Sequence, residues 1–192
     1  MKREIIQTKD GSTTIHLPEW EESYHSKHGA IQEAYHVFIK SGFDLFKKQP
    51  LSILEIGFGT GLNAFITFLE TNKYKKAVDY VGVEAYPVLH EEAILMNYVS
   101  ELQANEYQSV FETIHQLTWE EKHSLSANFN LTKRQQFFQD IKDRNQFDLI
   151  YFDAFGFRVQ PELWSAAIFK KMFDALKTGG ILVTYAARGV IK

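Results

Sequence analysis

The feature that most constrains this chain is the run Leu54-Glu-Ile-Gly-Phe-Gly-Thr-Gly-Leu-Asn63. An apolar stretch of strand length, residues 51–56, runs into glycines at 57, 59 and 61, and a helical pattern starts at once over 62–70. Glycine is required where the backbone turns with positive φ or must approach a ligand closely. The N-terminus of the helix that follows offers unpaired N–H groups and positive potential. Such a joint lies on the ligand-binding edge of an open α/β sheet. The remainder of the chain agrees. Strand-sized apolar stretches recur at 80–85, 147–153 and 181–186, and they alternate with helical patterns at 91–98 and from Pro161, a good first-turn residue, to Gly179-Gly180. Residues 109–115 read as a further strand, and 119–139 as helix, a short strand at 128–131, then helix. The fold class is therefore α/β, a doubly wound and largely parallel sheet.

Before Pro50 the texture differs. Residues 5–17 read as a β-hairpin turning at Asp10-Gly11. From 29 to 40, Ile31, Ala34, Tyr35 and Phe38 recur at helical spacing, with Glu33, His36 and Lys40 on the opposite face. This divides the chain into a small extension, 1–49, and a core, 50–192.

Composition narrows the function classes. The 192 residues include no cysteine, which excludes disulfides, thiolate metal sites and a thiol nucleophile. No stretch approaches the ~20 apolar residues of a membrane span, and the N-terminus lacks a signal-peptide core, so a cytoplasmic protein is expected. His25, His28 and His36 are not spaced as a metal site, and no metal is expected. The formal net charge of −3 is unevenly spread: residues 133–192 carry 10 basic against 6 acidic side chains, a hint of a polyanionic partner.

The ligand of the glycine loop follows from what the loop lacks. The spacing Gly57-x-Gly59-x-Gly61 is neither the dinucleotide G-x-G-x-x-G nor a phosphate loop with Gly-Lys-Ser/Thr. An acid, Glu55, stands before it, which suits a cofactor with an ammonium and a sulfonium but no phosphate. Glu84 closes the next strand, the position from which a carboxylate accepts hydrogen bonds from ribose hydroxyls. The run resembles motif I of the class I S-adenosylmethionine methyltransferases, which implies their Rossmann-like sheet.

Two further blocks carry a narrower resemblance. Asp153-Ala-Phe155 followed by Gln160-Pro-Glu-Leu-Trp164, together with Ser23-Tyr-His-Ser26 and the 28–38 segment containing Gly29, Glu33, Val37 and Phe38, resembles the MnmC-type (stand-alone MnmD) tRNA methyltransferases. That resemblance implies N-methylation of the 5-aminomethyl group of 2-thiouridine at the tRNA wobble position. It implies S-adenosylmethionine as cofactor, the tRNA anticodon loop as partner, and a separate activity that supplies the aminomethyl group. By position, Glu33, Glu55, Gly57, Gly59, Gly61, Asn63 and Glu84 are expected to bind the cofactor, Tyr24, Phe155 and Trp164 to hold the substrate, and Asp153 to orient the amine. Asp153 is expected to act electrostatically, with the proton leaving to water, because a carboxylate of ordinary pKa ~3.9 is a weak base. Trp164 also lies on the apolar stripe with Ile168 and Met172, which favours a core position. The chain departs from the family where Leu131-Thr-Lys-Arg-Gln135 lacks the expected adenine-contacting acid, and the family's final strand hairpin is expected to be missing after residue 192. The rival readings are a methyltransferase or aminopropyltransferase of a free small amine, and a non-catalytic cofactor- or RNA-binding module. Oligomeric state is not set by any of these residues.

Overall fold

The computed structural model describes residues 2–47 and 49–186; the C-terminal residues 187–192, where the end of the core is expected, lie outside them. Glu4–Gln7 (β1) and Thr13–Leu17 (β2) form the expected antiparallel hairpin, and Glu22–Ser23 (β3) adds a third strand to it. Ala30–Ala34 (α1) continues through a wider π-helical turn, Tyr35–Lys40. The core then alternates as Leu51–Ile56 (β4), Leu62–Tyr74 (α2), Val78–Glu84 (β5), the single turns His90–Ala93 (α3) and Tyr98–Glu101 (α4), and Gln108–Gln116 (α5). Lys122–Ser126 (β6), Phe129–Gln135 (β7), Phe147–Phe152 (β8), Ala166–Ala175 (α6) and Leu176–Thr184 (β9) complete the described chain.

The large sheet has the order β6-β7-β5-β4-β8-β9, parallel throughout except that β6 runs against β7. Every residue of β8 is buried, as expected of a central parallel strand covered on both faces. One apolar cluster packs α2, α5 and the N-terminal segment against one face: Phe38, Phe65, Phe68, Phe111, Ile53, Tyr80 and Tyr151 meet there. A second packs α6 on the other face, through Leu54, Ile56, Ile150, Phe152, Ile168 and Met172. Ile15 and Leu17 of β2 belong to the first cluster, so the extension shares its core with the sheet. Among the described residues no helix is long and apolar enough to cross a membrane.

Four elements differ from expectation. Residues 109–115 are helical, because Phe111 and Ile114 are spaced to share one buried helix face. The 119–139 region is a hairpin, β6–β7, rather than two helices around a short strand; its period-two burial continues through Lys133, a buried lysine where an apolar residue is usual. The 91–98 helix is broken, since Asn97 leaves it to bond Thr13 and Gly11 of the N-terminal hairpin. The last helix stops at Ala175, and Gly179-Gly180 lies within β9, where its register against β8 shifts.

Candidate active site

β4 and β8 are neighbouring parallel strands in register Ile56↔Phe152, so their carboxyl ends deliver Gly57 and Asp153 side by side. The Asp153 N–H donates to the Ile56 carbonyl at 2.8 Å. At Gly57, φ is +89° and a Cβ would stand 2.5 Å from the Asp153 carbonyl oxygen. Only glycine permits the two loops to approach so closely. At the end of β5, Glu84 accepts from the Gly59 N–H at 3.0 Å and the Tyr86 N–H at 2.9 Å, tying the glycine loop to the neighbouring strand.

These strand ends open into a cleft of about 720 Å³. Gly57, Gly59, Asn63, Glu84, Asp153, Phe155 and Tyr24 line it, so seven of the residues expected at the site converge there. The N-terminal extension forms one wall: Tyr24 and Trp20 both meet Phe155 edge-on, with ring centroids 4.9 and 5.7 Å apart. The exposed rings of Tyr86 and Phe137, which also line the cleft, meet at 5.9 Å.

The floor of the cleft is electrostatically unusual. The Asn63 side-chain amide donates to Asp153 Oδ2 at 2.8 Å and to Glu55 Oε1 at 3.0 Å, and the Tyr80 hydroxyl donates to Glu55 Oε2 at 2.9 Å. Burial pushes the Asp153 carboxyl up to about 7, against the opposing effect of the Asn63 bond. Burial, with Asp153 close by, holds Glu55 well above the carboxylate range. The expectation of an ordinary, weakly basic Asp153 is therefore corrected: removal from water disfavours its charged form.

Four expected site residues stand elsewhere. Glu55 is fully buried behind the cleft, because alternation along β4 turns it into the face shared with Tyr80 and Tyr151. Gly61 does not line the cleft; it caps α2 in the left-handed region, and a Cβ there would stand 3.1 Å from His115 Cε1. Glu33 is half-buried and accepts from the Ser26 N–H at 3.1 Å, so it neither lines the cleft nor lies on a solvated face. Trp164 is buried in the α6 cluster, edge-on to Phe152, and its indole N–H donates to the Phe155 carbonyl at 2.7 Å. It braces the substrate wall from behind.

The cleft also contains residues that sequence reasoning missed. Arg3 reaches it from the N-terminal strand, ion-paired to Glu92 at 2.6 Å and bonded to the Tyr86 carbonyl at 3.3 Å. Phe137, Phe138 and Gln139 follow β7, where the adenine-contacting acid was sought. Their signal in the sequence is the run of two aromatics and an amide directly after β7, in place of an acid. Arg3 carries no such signal.

The doubly wound sheet, its glycine loop and a carboxylate at each of the adjoining strand ends define a methyltransferase domain of the class I type. A family model described as S-adenosyl-L-methionine-dependent methyltransferase matches residues 96–192. The tRNA 5-methylaminomethyl-2-thiouridine biosynthesis bifunctional protein MnmC of Burkholderia thailandensis is 28% identical over 210 residues, covering 98% of this chain and 30% of that protein. Its namesake from Leptospira interrogans is 24% identical over 201 residues, covering 91% and 29%. The crystal structure of MNMC2 from Aquifex aeolicus superposes with a TM-score of 0.80 at 20% identity, over 99% of this chain and 62% of that one. The chain belongs to the S-adenosyl-L-methionine-dependent methyltransferase family and is of the MnmC type. It spans about 30% of the length of the curated relatives it matches.

The residues present fit that cofactor. The loop held open at Gly57 and Gly59 gives a ligand close access to the backbone, with a Cβ at Gly59 only 3.1 Å from the Tyr24 ring. Asn63 Oδ1, buried beside Asp153, has no hydrogen-bond partner, an acceptor suited to an ammonium group.

Proposed function

We propose that this chain methylates the amine of 5-aminomethyl-2-thiouridine at the wobble position of tRNA. The observation that carries the reading is Asp153: a carboxylate at the base of the cleft, beneath an aromatic wall of Trp20, Tyr24 and Phe155. A nucleobase displaced from an anticodon loop is held by such rings, and its amine would reach the carboxylate. The names of the matched relatives support the same substrate.

When bound, S-adenosylmethionine supplies an electrophilic methyl. Gly57, Gly59 and Asn63 would hold its amino-acid end, Glu84 its ribose, and Tyr86, Phe137 and Phe138 its adenine. Asp153 orients the incoming amine by accepting a hydrogen bond from its N–H. A primary alkylamine is mostly protonated at pH 7, with a reference pKa of ~10.4. With Asp153 at about 7, the gap across which a proton moves from that amine falls from roughly 6 pH units to roughly 3, so Asp153 also serves as the first proton acceptor.

In this reading residues 1–49 are an extension that supplies the substrate wall, residues 50–192 are the cofactor-binding core, and the reaction is cytoplasmic. The aminomethyl group must come from an activity that acts on the same uridine first. The test is transfer of labelled methyl from S-adenosylmethionine to bulk tRNA lacking this final methylation, followed by nucleoside analysis. Label in the wobble nucleoside is expected. Cofactor binding without transfer to tRNA, or label transferred only to free small amines, overturns the substrate.

A further inference from the structure

We propose that Glu55 acts on the site only through Asn63, as a positioning residue that anchors the amide holding Asp153 and does not itself meet the cofactor. The inference rests on the proposed role of Asp153. Its geometry is a single chain: Tyr80 hydroxyl to Glu55, Asn63 amide to Glu55, and the same amide nitrogen to Asp153. Glu55 is fully buried, and Asn63 is nearly so, at 3% exposure. Asn63 and Asp153 line the cleft, whereas Tyr80 and Glu55 lie behind it.

The charge balance decides what Glu55 does there. Among the described residues, the groups that face Glu55 are Tyr80 and Glu84 of β5, Tyr151 of β8, and Asp153. Those that face Asp153 are Asn63 of α2, Glu33 of α1, Glu55, Tyr80 of β5, Tyr98 of α4, and Tyr185 after β9. All are acidic or neutral, and none is a cation. Two buried carboxylates joined by one neutral amide do not both ionise. The proton belongs on Glu55, the member with no access to water or ligand, which leaves the charge on Asp153, where the amine arrives. A protonated Glu55 still accepts from Asn63 through its carbonyl oxygen Oε1 and gives its own proton to the Tyr80 hydroxyl, which turns to accept, so glutamine, with a carbonyl and an N–H in those places, reproduces both bonds.

The test uses the whole chain and two readouts independent of tRNA: the affinity for S-adenosylmethionine by calorimetry, and the titration of the Asp153 carboxyl by 13C NMR. Glu55→Gln is expected to keep both within twofold of wild type. Glu55→Leu, which removes the acceptor for Asn63 at similar volume, is expected to weaken cofactor binding about tenfold and to raise the Asp153 midpoint. If Glu55→Leu does not fold, Tyr80→Phe loosens the same chain from its far end, and a smaller upward shift of the midpoint is expected. A tenfold loss of cofactor affinity in Glu55→Gln, or a fall of its Asp153 midpoint by one pH unit or more, overturns the proposal, because Glu55 then acts as an anion. An unchanged midpoint in Glu55→Leu, or in Tyr80→Phe where Leu unfolds, overturns it as well. Absence of methyl transfer to tRNA by the wild type would sink the proposed substrate without moving either readout.

Discussion

Asn63 and Asp153 are joined across the floor of the cleft by a 2.8 Å hydrogen bond from Nδ2 to Oδ2, and the same nitrogen donates to Glu55. Asn63 sits in the first turn of α2, so the glycine loop that precedes that helix also fixes the amide. Asn63→Ala leaves two buried carboxyl groups without their shared donor. Removing such a partner costs about 1–3 kcal/mol, and this loss should appear in urea unfolding at pH 7. The Asp153 carboxyl should also move further upward, because the Asn63 bond is what opposes its burial.

Asp153 trades stability for function. Its carboxyl sits at about 7 in the folded protein and near 3.8 when unfolded, so the native state binds the proton more tightly. Stability is then greatest below the unfolded value, falls as pH rises from about 4 to about 7, and levels off above. Asp153→Asn removes that penalty. It should stabilise the protein by about 2–4 kcal/mol at pH 8, with the gain vanishing near pH 4, while methyl transfer is lost. Thermal unfolding of both proteins across that range checks the slope, and an Asn variant with full turnover would end the proposed role.

Gly57 is read equally well in sequence and in structure, because its need is imposed by the backbone. A Cβ there meets the Asp153 carbonyl, and φ of +89° is strained for any other residue. Gly57→Ala should destabilise by about 2–4 kcal/mol and abolish cofactor binding, measured by calorimetry on the folded fraction.

What was legible follows that distinction. Gly57, Glu84 and Asp153 lie at strand ends, where backbone topology alone fixes their place. Glu55 is set apart from these three because proximity along the chain says nothing of direction: one step of the β4 pleat turns it away from the cleft. Trp164 stands in the core to which its spacing from Ile168 and Met172 points, and its indole N–H alone reaches the back of the Phe155 wall. The β6–β7 hairpin was obscured by Lys133, since a charged residue at a buried position interrupts the alternation by which a strand is read. Arg3 and Trp20 reach the cleft through tertiary packing of the extension, which no local pattern encodes.

Lys133 is itself a measurable liability. Its side chain is buried over the Trp119 ring, with the ammonium donating to the His115 carbonyl at 3.3 Å, and burial lowers its pKa to about 8. The unfolded chain therefore binds the proton more tightly, and stability should rise with pH from about 8 towards 10.5. Lys133→Met should stabilise by about 1–2 kcal/mol at pH 7, after loss of the His115 bond, and the difference should close above pH 10. Urea midpoints at pH 7 and pH 10 measure it.

Arg158 separates substrate binding from cofactor binding. Its guanidinium donates to the carbonyls of Trp20 at 2.7 Å and Glu21 at 2.9 Å and pairs with Glu22 at 3.3 Å, which latches the loop after Asp153 onto the N-terminal wall. The group is half-exposed, so its net contribution to stability is small, about 0–1 kcal/mol. Its effect is on the position of Trp20 against Phe155. Arg158→Ala should raise KM for tRNA several-fold and leave the affinity for S-adenosylmethionine unchanged, because none of its contacts reaches the glycine loop. Equal losses in both would mean that the wall and the cofactor end of the cleft move as one.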